Sequence, residues 1–487
     1  MSWQDVATIA PFIGAVLVAC AVLVVDIAWP GRRGPALLTA LVGLAVVALL
    51  VLVTGASPST AFGGAYTADP LTTFLDILFL SIVALTILFA PDYLAPRDLP
   101  VAEFAAVLIF AGSGAMLISA SADLLVLFLG LELMVLPGYL LVGFAKHDAL
   151  STEGAIKYFL LGSFSSAIFL FGLAYVWGLT GTTRVAGVAE ALAAVMAGHA
   201  PLSAGLAMGL AFMTTGVGFK IAAVPFHYWT PDAYQGSPTP VTGYLSVGPK
   251  VGAFALILRL FVEALGPLKA DWLPVVVILA ALTMTLGNLV ALTQNNVKRM
   301  LAYSSIAHTG YMLVGLAAYA AGRVEGLQAL LYYGAAYSFM NLGAFAVVAA
   351  LQKRRGVTSN LDTFAGLGRR EPWLGALMVL FLLSLTGIPP TAGFFAKYYV
   401  ILAAVQAGGT VGLLAVLLVL NAVAAAFYYL RVIVYMYMRD PQSEQAPVDH
   451  GRLLWSGLAA ATVLTIALGI VPGPLLDTVR AAAAAIT

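Results

Sequence analysis

"GFKIAAVPFHYW", Gly218 to Trp229, places a lysine at the end of an apolar run. No ionisable residue occurs from Leu202 to Phe219, and Pro225 follows Lys220 five positions later. Proline inside a helix removes a hydrogen bond and crowds the preceding turn, so the stretch predicts a helix broken just beyond its lysine. What surrounds it follows from the balance of the chain. Of 487 residues, 62% are hydrophobic and 9% charged. A soluble domain of that composition would expose a mostly apolar surface. Lipid is therefore the expected solvent and the transmembrane helix the expected element.

Other function classes fall away on the same grounds. A net charge of +1 gives no electrostatic basis for nucleic-acid binding. Cys20 is the only cysteine, which excludes an internal disulfide, an iron–sulfur cluster and a thiolate zinc site. The opening "MSWQDVATIAPF" has neither a basic region nor a small-residue cleavage signal, so the first apolar run is expected to be retained.

A span needs ~20 mostly apolar residues. About fourteen such runs occur, near 7–29, 35–55, 71–91, 101–119, 123–144, 154–180, 203–229, 238–264, 274–293, 299–320, 326–351, 373–404, 409–438 and 453–472. Their connections are too short for a soluble catalytic domain. The longest, 181–202 and 352–372, read as surface turns. Loops after odd-numbered runs carry fourteen basic residues: Arg32, Arg33, Arg97, Lys146, Lys157, Lys298, Arg299, Lys353, Arg354, Arg355, Arg369, Arg370, Arg439 and Arg452. The opposite side carries four: Arg184, Lys269, Arg323 and Arg480. The positive-inside rule then puts both termini on the outer side.

The other five basic residues of the 23, Lys220, Lys250, Arg259, Lys397 and Arg431, fall within runs. Arg259 and Arg431 lie near enough to run ends to be read as anchors. Lys220, Lys250 and Lys397 are too central for that, and Glu132 in "LFLGLELMVLPGYLLVG" is the clearest acid of the same kind. A central lysine costs at least ~2.5–3.5 kcal/mol unless it faces protein or water. One such lysine is as readily a helix lock, paired with a carboxylate, as a functional group. Three lysines facing one central glutamate require water or neutral partners, the setting of an ion or proton path.

Helical spacing supports such a path. Thr239, Thr242, Ser246 and Lys250 share one stripe of the eighth run, Ser304, His308 and Tyr311 one of the tenth, and Tyr333, Tyr337 and Asn341 one of the eleventh. Each stripe alone is as well explained by hydrogen bonds between helices. His227 and His308, taken singly, read as packing residues. Together they extend the lysines into a polar row across the middle of the membrane. A carboxylate such as Glu132, approaching and leaving Lys220, would make that lysine an adjustable acid. The two proline-broken runs, the seventh with Pro225 and the twelfth with "TGIPPTAGFFAKYYV", lie five runs apart. An odd spacing means two inverted repeats, as in transporters. The expected organisation is three helices in 1–100, repeats in 101–264 (helices 4–8) and 265–438 (helices 9–13), and a last helix in 439–487.

Five segments carry a resemblance. "GLELMVLPGYLLVG", "AIKYFLLGSFSSAIFLFG", "GFKIAAVPFHYWTPDAYQGSPTPVTGYLSVGPKVGAFA", "NVKRMLAYSSIAHTGYMLVG" and "GIPPTAGFFAKYYV" resemble the antiporter-like subunits of respiratory complex I, NADH:quinone oxidoreductase. The nearest is subunit N, the relative of mitochondrial subunit 2. The resemblance runs from about Asp123 to Tyr399, in order. The first three and last two helices supply no distinctive motif.

The resemblance implies a proton-translocating subunit of a bacterial inner-membrane complex. Its partners would be a neighbouring antiporter-like subunit, small membrane subunits and lipid. FMN, iron–sulfur clusters and quinone would belong to other subunits, leaving no cofactor or metal here. It makes Glu132 the acidic partner, Lys220 the broken-helix lysine, Lys250 the bridging lysine, His308 a relay and Lys397 the outer terminus. Lys157 matches the "KYFLLG" lysine of the family, with a loop-side role equally open. Gln235 stands where an acid is expected. The nearest alternative is a subunit of a multisubunit sodium/proton antiporter, similar over the same helices. A membrane transferase would need an acidic loop cluster that this chain lacks, and a purely structural spacer would not need three central lysines.

Overall fold

The computed structural model describes residues 2–197, 202–441 and 448–487. Two helices open the chain, α1 (Trp3–Ala28) and α2 (Arg33–Thr54). A hairpin of β1 (Ser59–Ala61) and β2 (Tyr66–Ala68), with Ser59 opposite Ala68, leads into α3 (Pro70–Leu94) and α4 (Val101–Ser119). The first half continues through α5 (Leu124–Val142), α6 (Ala149–Thr180), α7 (Val185–Ala197), α8 (Ala204–Lys220), α9 (Trp229–Gly236) and α10 (Thr239–Ile257). A π-turn over Leu258–Ala264 extends α10. The second half holds α11 (Lys269–Leu292), α12 (Val297–Ala320), α13 (Glu325–Leu351), α14 (Leu367–Arg370), α15 (Pro372–Thr386), α16 (Ala392–Ala407) and α17 (Gly409–Met438). It closes with α18 (Arg452–Ile470) and α19 (Gly473–Ala484).

Among the described residues, eleven helices are long and apolar enough to cross a membrane. Short polar residues start several of the helices: Asp69, Asp123, Asp148, Ser203 and Asn296 each accept a backbone N–H from the first turn of α3, α5, α6, α8 and α12. Of the runs outside the eleven, the tenth is α12, whose Ser, His, Thr and Tyr residues dilute its hydropathy. The seventh and twelfth are divided, α8 from α9 and α15 from α16.

Helices α10 and α13 are buried on every face, the position expected of a helix that is apolar all round yet carries polar cargo. Peripheral helices α1, α2, α17 and α18 expose Leu17, Leu38, Leu49, Leu413, Val423 and Val463, as lipid-facing surfaces do.

Three segments depart from the expectation. Residues 181–202, read as a surface turn, contain α7, because Val185, Val188 and Leu192 recur at helical spacing and are buried; residues 198–201 lie outside the described set. Residues 352–372 hold a 3-10 turn, Leu361–Phe364, and α14. The C-terminal α19 was not anticipated, being too short and polar for a span. It buries Val479, Ala482 and Ala483 while Arg480 pairs with Asp477 at its surface.

A loop cluster fastens α18 to the bundle. His450 sits between Glu371 at 3.1 Å and Asp92 at 3.4 Å, and Asp92 also takes the Gly451 N–H and the Lys353 ammonium. Burial opposes a charged imidazole, but the two carboxylate contacts outweigh it and push the His450 pKa up to about 9. A pKa raised on folding stabilises fully below the unfolded value, ~6.5, and the gain fades as pH rises through about 9. His450→Gln should therefore lower the melting temperature of the assembled protein at pH 7, by the equivalent of about 2 kcal/mol. The gap should close above pH ~10; a gap independent of pH would contradict the charged latch.

Candidate functional site

The two breaks come first, because they position two of the lysines. Helix α8 ends at Lys220 itself, Ala222 then turns to φ +58°, and the Val224–Pro225 peptide is cis. The freed backbone groups find side chains. Trp229 Nε1 donates to Phe219 O at 3.0 Å, Thr309 Oγ1 to Ile221 O at 2.8 Å, and Val224 N to Thr283 Oγ1 at 3.0 Å. Irregular backbone persists at membrane depth only when satisfied by protein in this way. At the second break Gly387 closes α15 at φ +96°, and Pro389–Pro390 is cis. Helix α16 then begins so close to α15 that a Cβ on Gly393 would lie 1.8 Å from Ser384 O.

Each central lysine is held by neutral oxygens. Lys220 donates to Ser166 Oγ on α6 at 2.9 Å. Lys250, behind Pro249 on α10, donates to both the carbonyl and the hydroxyl of Ser305 on α12. Lys397 on α16 reaches back across its break to Leu385 O at 2.9 Å and Thr386 O at 2.6 Å. All three are at most 6% exposed. In sequence Lys220 precedes its break and Lys397 follows its own. Electrostatically they coincide: Lys220 occupies the last turn of α8, and Lys397 binds the last carbonyls of α15. Each cation therefore sits at the negative end of a half-helix dipole.

The structure brings the lysines and His308 into one row. Thr309 Oγ1 donates to Ile221 O, next to Lys220, and lies 3.2 Å from Ser305 O, which also accepts from Lys250. The Lys250 ammonium is 5.8 Å from the Tyr337 ring centre, and that ring lies 4.8 Å from His308. His308 meets Tyr311 edge-on at 5.4 Å, and the Lys397 ammonium stands 5.5 Å from the same Tyr311. Cations within ~6 Å of an aromatic centre gain from its quadrupole, so tyrosine faces separate and support the charges. Tyr333 OH binds His308 Nδ1 at 2.7 Å, and Asn341 Nδ2 donates to Ser246 Oγ at 2.6 Å.

Other expected residues lie off this row. Glu132 and Lys220 make no direct contact: Lys220 binds Ser166, and Glu132 Oε1 is buried with no hydrogen-bond partner among the described residues. Its neighbours on α5, Leu125, Leu129, Leu136 and Leu140, are exposed, so the carboxyl lies beside a lateral face. His227 stacks on Tyr228 at 4.8 Å, and its Nδ1 has no partner among the described residues. Lys157 pairs with Glu153 at 2.6 Å and Asp232 at 2.8 Å, and Asp232 also pairs with Arg299 at 2.7 Å. Gln235 accepts from Arg299 at 3.1 Å in the same cluster.

Two assignments change. Lys298, grouped with loop cations, is 4% exposed because its ammonium caps the carbonyls of Gln235 and Ser237 at the C-terminal end of α9. Arg259, expected to snorkel, is 2% exposed because the π-turn keeps it inside. It binds Asp69 at 2.7 Å, Glu263 at 2.5 Å and Ser119 O at 2.8 Å. Arg431 does anchor a helix end, through Leu292 O at 3.2 Å. The residues missed were Ser166, Ser305 and Thr309. Ser166 lies in a quoted motif without a charge to mark it, and the other two sit one position from the α12 stripe. No three His, Cys, Asp or Glu side chains converge on a metal position among the described residues.

Comparison with known proteins bears on what this arrangement serves. A family model described as NADH:quinone oxidoreductase/Mrp antiporter, transmembrane, matches residues 121–422. The chain is 42% identical over 473 residues to a protein of Chloroflexus aggregans named NADH-quinone oxidoreductase subunit N, covering 97% of this chain and 96% of that one. A chain of respiratory complex I from Thermus thermophilus superposes with a TM-score of 0.79 at 31% identity, over 97% of this chain and 99% of that one. A chain of the Mrp complex from a Dietzia species shares the fold, with a TM-score of 0.80 at 22% identity over 100% and 98%.

Proposed function

Because the chain belongs to the subunit N family of NADH:quinone oxidoreductase, the antiporter-like membrane subunits of complex I, we propose that it moves protons along the row Lys220, Lys250, His308 and Lys397. The observation that carries this reading is the continuity of the row. Ammonium groups held by neutral oxygens alternate with Thr, Ser, Tyr and His side chains across five helices, α8, α10, α12, α13 and α16. A lysine without a carboxylate can release its proton without stranding a partner charge, which suits a carrier better than a lock.

Ten of the fourteen runs form two inverted five-helix repeats in this reading, 101–264 and 265–438, each with its lysine at the negative end of a half-helix. Both termini face outward, following the fourteen-to-four excess of basic residues on the other side. Glu132 completes the device from the edge. With an oxygen buried and unpartnered beside a lateral face, it meets a charge on the neighbouring membrane subunit and responds to changes there. Redox chemistry proceeds in other subunits, and its electrostatic consequence reaches Lys220 through Glu132 and passes via Lys250 to Lys397.

The test is proton pumping by the assembled complex in vesicles, driven by NADH, with Lys220→Ala and Lys397→Ala. Both should lose most of it; full pumping in both would overturn the proposal. A requirement for sodium without NADH oxidation would favour the antiporter alternative instead.

A further inference from the structure

Both ring nitrogens of His308 are engaged, and the second engagement comes from a helix with no polar stripe in the sequence reading. Tyr333 OH lies 2.7 Å from Nδ1; on the other side, Tyr429 OH on α17 lies 3.2 Å from Nε2 and is bonded to Ser304 Oγ. His308, Ser304, Tyr333 and Tyr429 are fully buried. Resting on the proposed function above, we infer that Tyr429 is a relay residue: the proton that arrives at His308 leaves through the Tyr429 hydroxyl toward Ser304.

The geometry admits each transfer with the imidazole held still, the ring turning only between one proton and the next. A neutral imidazole has one N–H donor and one bare nitrogen, so with a hydroxyl at each end the chain has a direction. In the forward step the Tyr333 O–H bond breaks as Nδ1–H forms, and Nε2–H breaks as a new O–H forms on Tyr429. The former Tyr429 proton passes to Ser304 Oγ, whose own proton goes to water. Tyr333 takes a replacement proton from the Lys250 ammonium on the same side of His308, through an intervening water, leaving a neutral amine to be recharged along the row. His308 and both tyrosines end neutral, one proton has advanced, and the imidazole has exchanged tautomers; a half-turn of the ring then restores the starting tautomer before the next proton. The surroundings keep the chain from wandering. The titratable rings around His308 are Tyr311, Tyr333, Tyr337 and Tyr429, and Tyr428 beside Tyr429 is tied to Asn288 Oδ1 at 2.9 Å. Tyr311 OH accepts from Asn288 Nδ2 at 2.7 Å.

The experiment uses the assembled complex in vesicles, with Lys250→Ala alongside. Tyr429→Phe removes one oxygen and keeps the ring; NADH-driven pumping should fall on the order of tenfold or more at unchanged subunit content. Replacing Tyr429 with 3,5-difluorotyrosine, nearly isosteric and more acidic, should restore pumping and move the alkaline limb of its pH profile to lower pH. A merely structural tyrosine would not produce that shift. Full pumping by Tyr429→Phe, or an unmoved profile with the fluorinated residue, overturns the inference while the row stands if Lys250→Ala is inactive. Full pumping by Lys250→Ala removes the row itself.

Discussion

Lys250→Ala should abolish NADH-driven proton pumping, a loss of well over tenfold, while the subunit still assembles. Two physical facts set this combination. Lys250 is the link between the two halves: its ammonium holds Ser305, which shares a carbonyl with Thr309 and so reaches the break after Lys220, and it faces Tyr337 on the His308 side. No other cation on α10 occupies that place. Assembly survives because no carboxylate is left behind. Truncating a buried ion is strongly destabilising when it strands a partner, and the partners here are the carbonyl and hydroxyl of one serine. The measurement is acidification of vesicles per NADH oxidised, with subunit content checked in the membrane. Normal pumping would mean that charge passes around α10.

Arg259→Met should do the opposite, failing first in assembly. Arg259 stands 2.7 Å from Asp69 and 2.5 Å from Glu263, with Nε donating to Ser119 O. Methionine keeps the packing volume but leaves two partly buried carboxylates without their cation, at a cost of about 3–5 kcal/mol. The expected result is a strong drop in subunit level. The triple variant Arg259→Met, Asp69→Asn, Glu263→Gln should recover much of it, because the stranded charges are gone. Equal loss in both would mean that the guanidinium matters for shape alone. The contrast between Lys250 and Arg259 separates a carrier from a lock by what each leaves behind.

The sequence carried the row further than its surroundings. Lys220, Lys250 and Lys397 were visible because a charge in an apolar run has few explanations, and Pro225 and Pro389–Pro390 marked both breaks. His308 was visible as part of a stripe. Neutral partners were not. Ser166, Ser305 and Thr309 are small hydroxyl residues of a kind common in membrane helices, and only tertiary packing shows which face a lysine. Arg259 was misread because a π-turn, invisible to a 3.6-residue period, keeps it inside the bundle. Helix α7 was missed because its thirteen residues, though apolar, are too few for a span and lie between turn-forming segments. Glu132 stood out as an acid in an apolar run, but not its place beside a lateral face: its distance from Lys220 depends on how α5, α6 and α8 pack.

The central claim is that the lysines act as one connected unit rather than as separate stations. The direct measurement is pumping by Lys220→Ala, Lys397→Ala and the double variant in the same vesicles. Groups that work in series are non-additive, so the double variant should pump no worse than the weaker single one. If instead the two losses multiply, each lysine moves protons independently, and the row is an arrangement in space without a function in common.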